Sequence, residues 1–226
     1  AGSVTYRIYA DMKPGYRLQA VYGVPGHELS IKTSSWFYNN ETYGAVTAND
    51  VSRDNLNKGT AALDSWISVC AASSASRGVL KTADTDGAAF LSGDSVLQNN
   101  TPDIGYPVQE RDGHLAATPI PIVSLFGLDT VQLLPLGKQN DRNYSTIITD
   151  NGSWASFGGA VGQDTTNCVL IAQLTTAGNL TFALNIQLGT PYGGVENYVA
   201  KQPVGEEKLL ESLTYPLPHP VKKGQK

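Results

Sequence analysis

Charged residues are scarce in this chain of 226 residues, where Asp, Glu, Lys and Arg together make up 16%. An average soluble protein carries about 25%. The 16 basic and 20 acidic side chains give a formal net charge of −4, so no basic field is present to attract nucleic acid. No apolar run is long enough to cross a bilayer as a helix. The sequence therefore predicts that the protein does not bind nucleic acid and does not cross a membrane as a helix.

The sequence also lacks the short motifs that mark catalysis and cofactor binding. It contains no HExxH, GxSxG or CxxC and no glycine-rich phosphate loop, and its three histidines each lie beside Gly or Pro. Scattered carboxylates leave a glycosidase pair possible in principle, because such pairs meet only in three dimensions. We predict a protein that is not an enzyme and needs no cofactor.

Cysteine is almost lacking, since only Cys70 and Cys168 are present. Two cysteines permit one internal disulfide, and two buried thiols are the alternative. If the two residues lie on facing strands, we expect a disulfide in the exported protein.

One short loop has the residue types of a calcium site. Asp84 and Asp86 alternate before Gly87, which is how short loops gather oxygens around Ca²⁺. The further ligands and the distal Glu of an EF-hand are missing, so a solvated turn is the favoured alternative to calcium binding.

Alternation of apolar and polar residues is abundant, and it predicts strands. The stretch Asn167–Gly189 is predicted to be a β-hairpin, with a first arm apolar on both faces and a second arm of strict period two. The opening Val4–Met12, Tyr16–Gly23 and Leu29–Tyr38 is predicted to be a meander of three strands. Further strands are predicted at Thr60–Ala72, Gly78–Thr82, Ala88–Leu91, Thr130–Leu136 and Ser145–Thr149, with an edge strand or extended segment at Leu115–Leu128.

These patterns predict an all-β protein, an antiparallel, jelly-roll-like β-sandwich over residues 1–204. Residues 205–226 are predicted to form a short helix at Gly205–Leu213 and then an extended, proline-rich C-terminal arm.

Several segments stand out together, and they are TYRIYADMKPGYRLQAVYG, LDSWISV, NGSWASFGGAVG, VLIAQLTTAG and LNIQLGTPYGG. Taken together, they resemble a β-rich domain of secreted surface proteins of Bacteroidota-type bacteria. The resemblance covers most of residues 4 to 200, and the family carries no firm activity. It implies export across the outer membrane and an extracellular or cell-surface location. Such bacteria attach O-glycans at Asp-Ser/Thr followed by an apolar residue or Thr, which implies glycosylation at Thr130, Ser95 and Thr165.

Two classes of function follow from these observations. The first is a structural subunit that binds other copies of itself, head to tail, in a filament or surface layer. Its arm would dock through Leu209, Leu210, Leu213, Tyr215 and Leu217. The alternative is a secreted carbohydrate-binding or adhesin module that stacks glycans on the loop aromatics Trp36, Tyr38, Tyr43 and Tyr106.

Overall fold

In the computed structural model, the residues described are 2–51, 55, 58, 60–69, 123–137, 143–161 and 167–217. Strands dominate them and form three sheets, which confirms the predicted all-β sandwich. The strands are β1 (Val4–Asp11), β2 (Arg17–Gly23), β3 (Leu29–Thr33), β4 (Trp66–Ile67), β5 (Ser124–Phe126), β6 (Thr146–Thr149), β7 (Gly152–Ala160), β8 (Cys168–Thr176), β9 (Leu180–Ala183), β10 (Asn185–Gly189), β11 (Val195–Val199), β12 (Lys208–Leu209) and β13 (Thr214–Tyr215).

Helices are short in this part of the chain. The helix α1 spans Thr130–Leu133, and 3₁₀ turns lie at Ala48–Asp50, Ala61–Leu63, Leu134–Leu136 and Glu211–Leu213. None of the helices in the described ranges has the length and apolar character that a membrane crossing requires.

The three sheets have the strand orders β1-β8-β4, β12-β11-β10-β2-β7-β5 and β13-β9-β3-β6. Their pairs are antiparallel except for β11 and β12, which run parallel. Apolar side chains from all three sheets meet in one core, which includes Leu18, Ile31, Trp154, Leu174 and Leu184. The sheets therefore share a single hydrophobic interior.

The predicted β-hairpin at Asn167–Gly189 is wrong, although its arms are strands. β8 pairs with β1 on one edge and with β4 on the other, so no edge is left for β9. β9 instead pairs with β3 and β13. The second arm also divides at Leu184, where the chain passes from the sheet of β9 to that of β10.

The opening strands are confirmed, except that the third ends at Thr33 and not at Tyr38, but their predicted meander is wrong. β1, β2 and β3 lie in three different sheets: β1 pairs with β8, β2 with β7 and β10, and β3 with β6 and β9. Short turns between them carry the chain from one sheet to the next. A turn signal predicts a change of direction, and it leaves the partner of each strand open.

The strand predicted at Thr130–Leu136 is also wrong. Asp129 accepts a hydrogen bond from the backbone N–H of Gln132 at 2.8 Å, and the Gln132 side chain accepts one from the Asp129 N–H at 3.0 Å. This capping box satisfies two donors at the start of α1. Local capping therefore outweighs the alternating pattern here.

The closing segment, residues 205–217, differs from its prediction as a helix followed by a free arm. Lys208–Leu209 adds to β11, and Thr214–Tyr215 adds to β9. Of the five proposed anchors of the arm, Leu213 is 8% exposed in the core and Tyr215 stacks on Phe182 with ring centroids 5.5 Å apart. Leu210 is half-buried against the core, and Leu209 and Leu217 are exposed. The docked part of the closing segment thus belongs to the sandwich of its own chain.

Candidate functional site

The six-stranded sheet presents an outer face on which five strands place small and polar side chains in register. Ser124, Ala155, Ala20, Gln187 and Asn197 lie side by side across β5, β7, β2, β10 and β11. At the usual spacing between strands this row is about 19 Å long. Val21, next to Ala20 on β2, and Trp154, next to Ala155 on β7, are buried in the core. Because side chains alternate along a strand, Ala20 and Ala155 face outward.

An open cleft of about 520 Å³ lies on this face, and we call it the sheet-face cleft. Its lining includes Ala20, whose small side chain lies opposite the equally small Ala155 and leaves room above the sheet. Gly23 is required nearby, since a Cβ there would lie 2.1 Å from the carbonyl oxygen of Thr149. The polar and aromatic lining residues are Tyr22, Phe126, Asn151, Ser153, Gln187, Asn197 and Glu207.

Two amides on neighbouring strands are already oriented toward each other. The Gln187 Nε2 donates to the Asn197 Oδ1 at 3.1 Å. Each carboxamide carries two N–H donors and an acceptor oxygen, so one mutual bond leaves most of their capacity unused. The pair therefore offers both donors and acceptors to a ligand in the cleft.

Glu207 reaches the cleft from the loop before β12 and is held in place. Its Oε2 lies 2.7 Å from the His27 Nε2 and accepts the backbone N–H of Val204 at 2.8 Å. No hydrogen bond to the Glu207 Oε1 is found among the described residues. This second carboxylate oxygen can accept a hydrogen bond from a hydroxyl group of a ligand.

The Tyr22 phenol keeps its proton at neutral pH. Burial raises the pKa of Tyr22 to about 12, and the nearby negative charge of Glu207 adds to the effect. A protonated phenol both donates and accepts hydrogen bonds. Tyr22 therefore adds a further polar contact at the wall of the cleft.

A buried asparagine holds together the loops that surround these groups. The Asn185 Nδ2 donates to the carbonyl oxygens of Tyr22 and His27, each at 3.0 Å, and its Oδ1 accepts the Ala200 N–H at 3.2 Å. Buried backbone groups are costly to leave unpaired. Asn185 thus positions the turn that carries His27, and through it Glu207.

None of the sequence-predicted site residues that the structure describes lines the sheet-face cleft. Thr130 is exposed at the start of α1, and Cys168 is half-buried at the start of β8. Asp84, Asp86, Cys70, Ser95 and Thr165 fall outside the described residues, so the calcium, disulfide and glycosylation predictions stay predictions. Among the residues that are described, no cluster of three or more potential metal ligands occurs.

Two of the aromatic residues predicted to stack on glycans, Tyr38 and Tyr43, have other contacts. The Tyr38 hydroxyl bonds with Thr60, and the Lys58 Nζ lies 5.1 Å from the centre of the Tyr43 ring. Trp36 is half-buried, and Tyr106 falls outside the described ranges. None of the three described residues among them lines the sheet-face cleft.

Sequence reasoning missed the cleft residues, although one signal pointed to them. Gln187 occupies an outward position of an alternating strand, which marks it as a side chain on the open face. That Asn197 and Phe126 lie on the same face depends on strand pairing over long separations in the chain.

The chain matches no protein-family model, no curated protein and no solved structure. The resemblance to a surface domain of Bacteroidota-type bacteria therefore stays a prediction, and function has to be argued from the geometry of the cleft.

Proposed function

We propose that this protein is a carbohydrate-binding module whose ligand lies in the sheet-face cleft. The observation that carries the proposal is the set of amide, carboxylate, phenol and phenyl groups that line one open cleft. Hydroxyl-rich ligands need many paired donors and acceptors, and the apolar faces of sugar rings pack on flat aromatic rings. An extracellular location, which the resemblance implies, is consistent with a glycan ligand.

The proposed module binds without catalysis. Enzymatic hydrolysis of glycosides usually needs two carboxylates on opposite sides of the scissile bond. Glu207 is the only carboxylate found among the described residues that line the cleft, and His27 and the Val204 N–H already hold one of its oxygens. This arrangement supports a role for Glu207 in binding a ligand hydroxyl by a hydrogen bond and not in transferring a proton.

We expect the Asn197→Ala substitution to lower the affinity for a glycan ligand about tenfold, because it removes one polar partner and leaves Gln187 without its own. A neutral-glycan array followed by calorimetry on the best ligand would measure the effect. The matched control is Asn179→Ala, an exposed asparagine in the turn between β8 and β9. Equal affinities of Asn197→Ala and the unchanged protein would contradict the proposal.

A second candidate function is the head-to-tail subunit of a filament or surface layer, bound to copies of itself. Exposed apolar side chains along the closing segment favour it, since Leu209 is 50% and Leu217 is 59% exposed. Leu209 lies on the edge strand β12, to which a further strand can add. Because Leu213 and Tyr215 pack on their own chain, such contacts would use the outer side of the closing segment.

We expect a Leu209→Glu, Leu217→Glu double variant to remain folded and to lose any self-association of the unchanged protein, because charge on an apolar contact opposes docking. Sedimentation velocity over a range of concentrations, with electron microscopy, would measure this. Val131→Glu, an exposed apolar position on α1, is the control. If the unchanged protein stays monomeric at high concentration, this second function is rejected.

A further inference from the structure

Two phenylalanines beside the sheet-face cleft expose much of their apolar rings to solvent. Phe157 is 81% exposed and Phe126 is 46% exposed. Their rings meet edge to face, with centroids 5.9 Å apart and an angle of 81° between the planes. We call these two residues the aromatic pair. Phe126 also lines the cleft, so the pair continues its wall outward.

The backbone of β7 is irregular beside Phe157. Ala20 of β2 pairs with Ala155 of β7, and Leu18 pairs with Ala160. The two pairs are therefore two residues apart on β2 but five residues apart on β7, which is a bulge in β7. The extra residues include Gly158 and Gly159, whose φ angles are +80° and +74°. Such bulges re-aim side chains and are frequent beside binding sites.

Alternation along β7 places Phe157 on the outer face with Ser153 and Ala155, and the glycine bend follows directly after it. At Gly159 a Cβ would lie 2.7 Å from the Cβ of Arg17, which makes glycine necessary for the bend. Regular pairing of β7 with β2 is thus interrupted next to an exposed ring that contributes little to the core.

The charge of the cleft restricts which glycan fits. Glu207 places a carboxylate in the cleft, and no lysine or arginine lines it in the described part of the chain. The net charge of the whole chain is also negative, at −4. Uronic-acid, sialic-acid or sulfated chains would therefore meet repulsion without a compensating partner.

Building on the proposed function, we infer that the ligand is an uncharged oligosaccharide with two zones of contact. The amides, Tyr22 and Glu207 bind one end by hydrogen bonds, and Phe157, the outer member of the aromatic pair, packs against a sugar ring farther along the chain. The row across five strands, about 19 Å long, offers room for several sugar units. Chain length thus determines whether Phe157 contributes to binding.

The test uses neutral gluco-, xylo- and manno-oligosaccharides from disaccharide to hexasaccharide, with oligogalacturonides as the charged probe. We expect Phe157→Ala to weaken hexasaccharide binding about tenfold and to leave disaccharide binding unchanged, because only the longer chain reaches Phe157, the outer member of the aromatic pair. Phe157→Trp should restore the affinity for the hexasaccharide. Tyr192→Ala, which removes a ring that is 97% exposed in the turn between β10 and β11, is the matched control.

The outcomes separate this inference from the proposed function. Equal hexasaccharide affinities for Phe157→Ala and the unchanged protein would overturn the inference, while a loss in Asn197→Ala would still support the cleft as the site. Tighter binding of oligogalacturonides than of neutral chains would overturn the uncharged class. If the unchanged protein binds none of the probes, both the proposed function and the inference fail.

Discussion

Replacing Trp154 by alanine is expected to lower the free energy of unfolding by about 3–5 kcal/mol. Trp154 lies on β7 and is 1% exposed, so its removal leaves a large cavity in the core shared by the three sheets. Its indole N–H donates to the Ser68 carbonyl oxygen at 3.2 Å. That buried acceptor would lose its partner, which adds to the cost.

Urea denaturation followed by circular dichroism would measure the Trp154→Ala effect. Phe157→Ala is the matched control on the same strand, because an exposed ring contributes little to stability, and we expect a change within about 0.5 kcal/mol. A loss below about 1 kcal/mol in Trp154→Ala would contradict the position of β7 over the core.

Replacing Leu213 by alanine is expected to cost about 2–5 kcal/mol of unfolding free energy, because this side chain is buried in the core. The backbone of Leu213 also ties the closing segment to the sandwich. Its carbonyl oxygen accepts the Leu184 N–H at 2.9 Å, and its N–H donates to the Leu210 carbonyl at 3.0 Å. Truncation of residues 206–226 would remove the same anchor, so we expect the truncated chain to be destabilised as well.

The control for Leu213→Ala is Leu217→Ala four residues later, where the side chain is exposed and we expect almost no change in stability. Thermal unfolding of both variants under identical conditions would measure the difference. Equal stabilities of the two variants would mean that the closing segment is not docked as described, and would favour the extended arm that the proline-rich sequence predicts.

Strand β8 shows how much of the fold the sequence predicts. Its residues are apolar on both faces, which predicts a covered strand, and it does lie between β1 and β4. The short turn containing Gly178 also predicts that β8 pairs with β9. That pairing is wrong because both edges of β8 are occupied by residues far away in the chain.

The candidate site shows the same limit. Alternation along β10 marks Gln187 as an outward side chain, but nothing near it in the sequence indicates Asn197 or Phe126 as neighbours. Their placement depends on the register of β11 against β10 and of β5 against β7. A shift of one residue in either pairing would turn these side chains into the core.

Side-chain alternation along the chain was sufficient to establish an all-β fold and the positions of most described strands, because a period of two dictates which residues share a face. Tertiary structure alone decided which strands pair, where the closing segment docks and which polar groups meet around Ala20. These features arise from hydrogen bonds between strands distant in sequence, whose partners are selected by the packing of the whole core. The local pattern determines the face on which each side chain lies, and the long-range pairing of strands determines which side chains form the site.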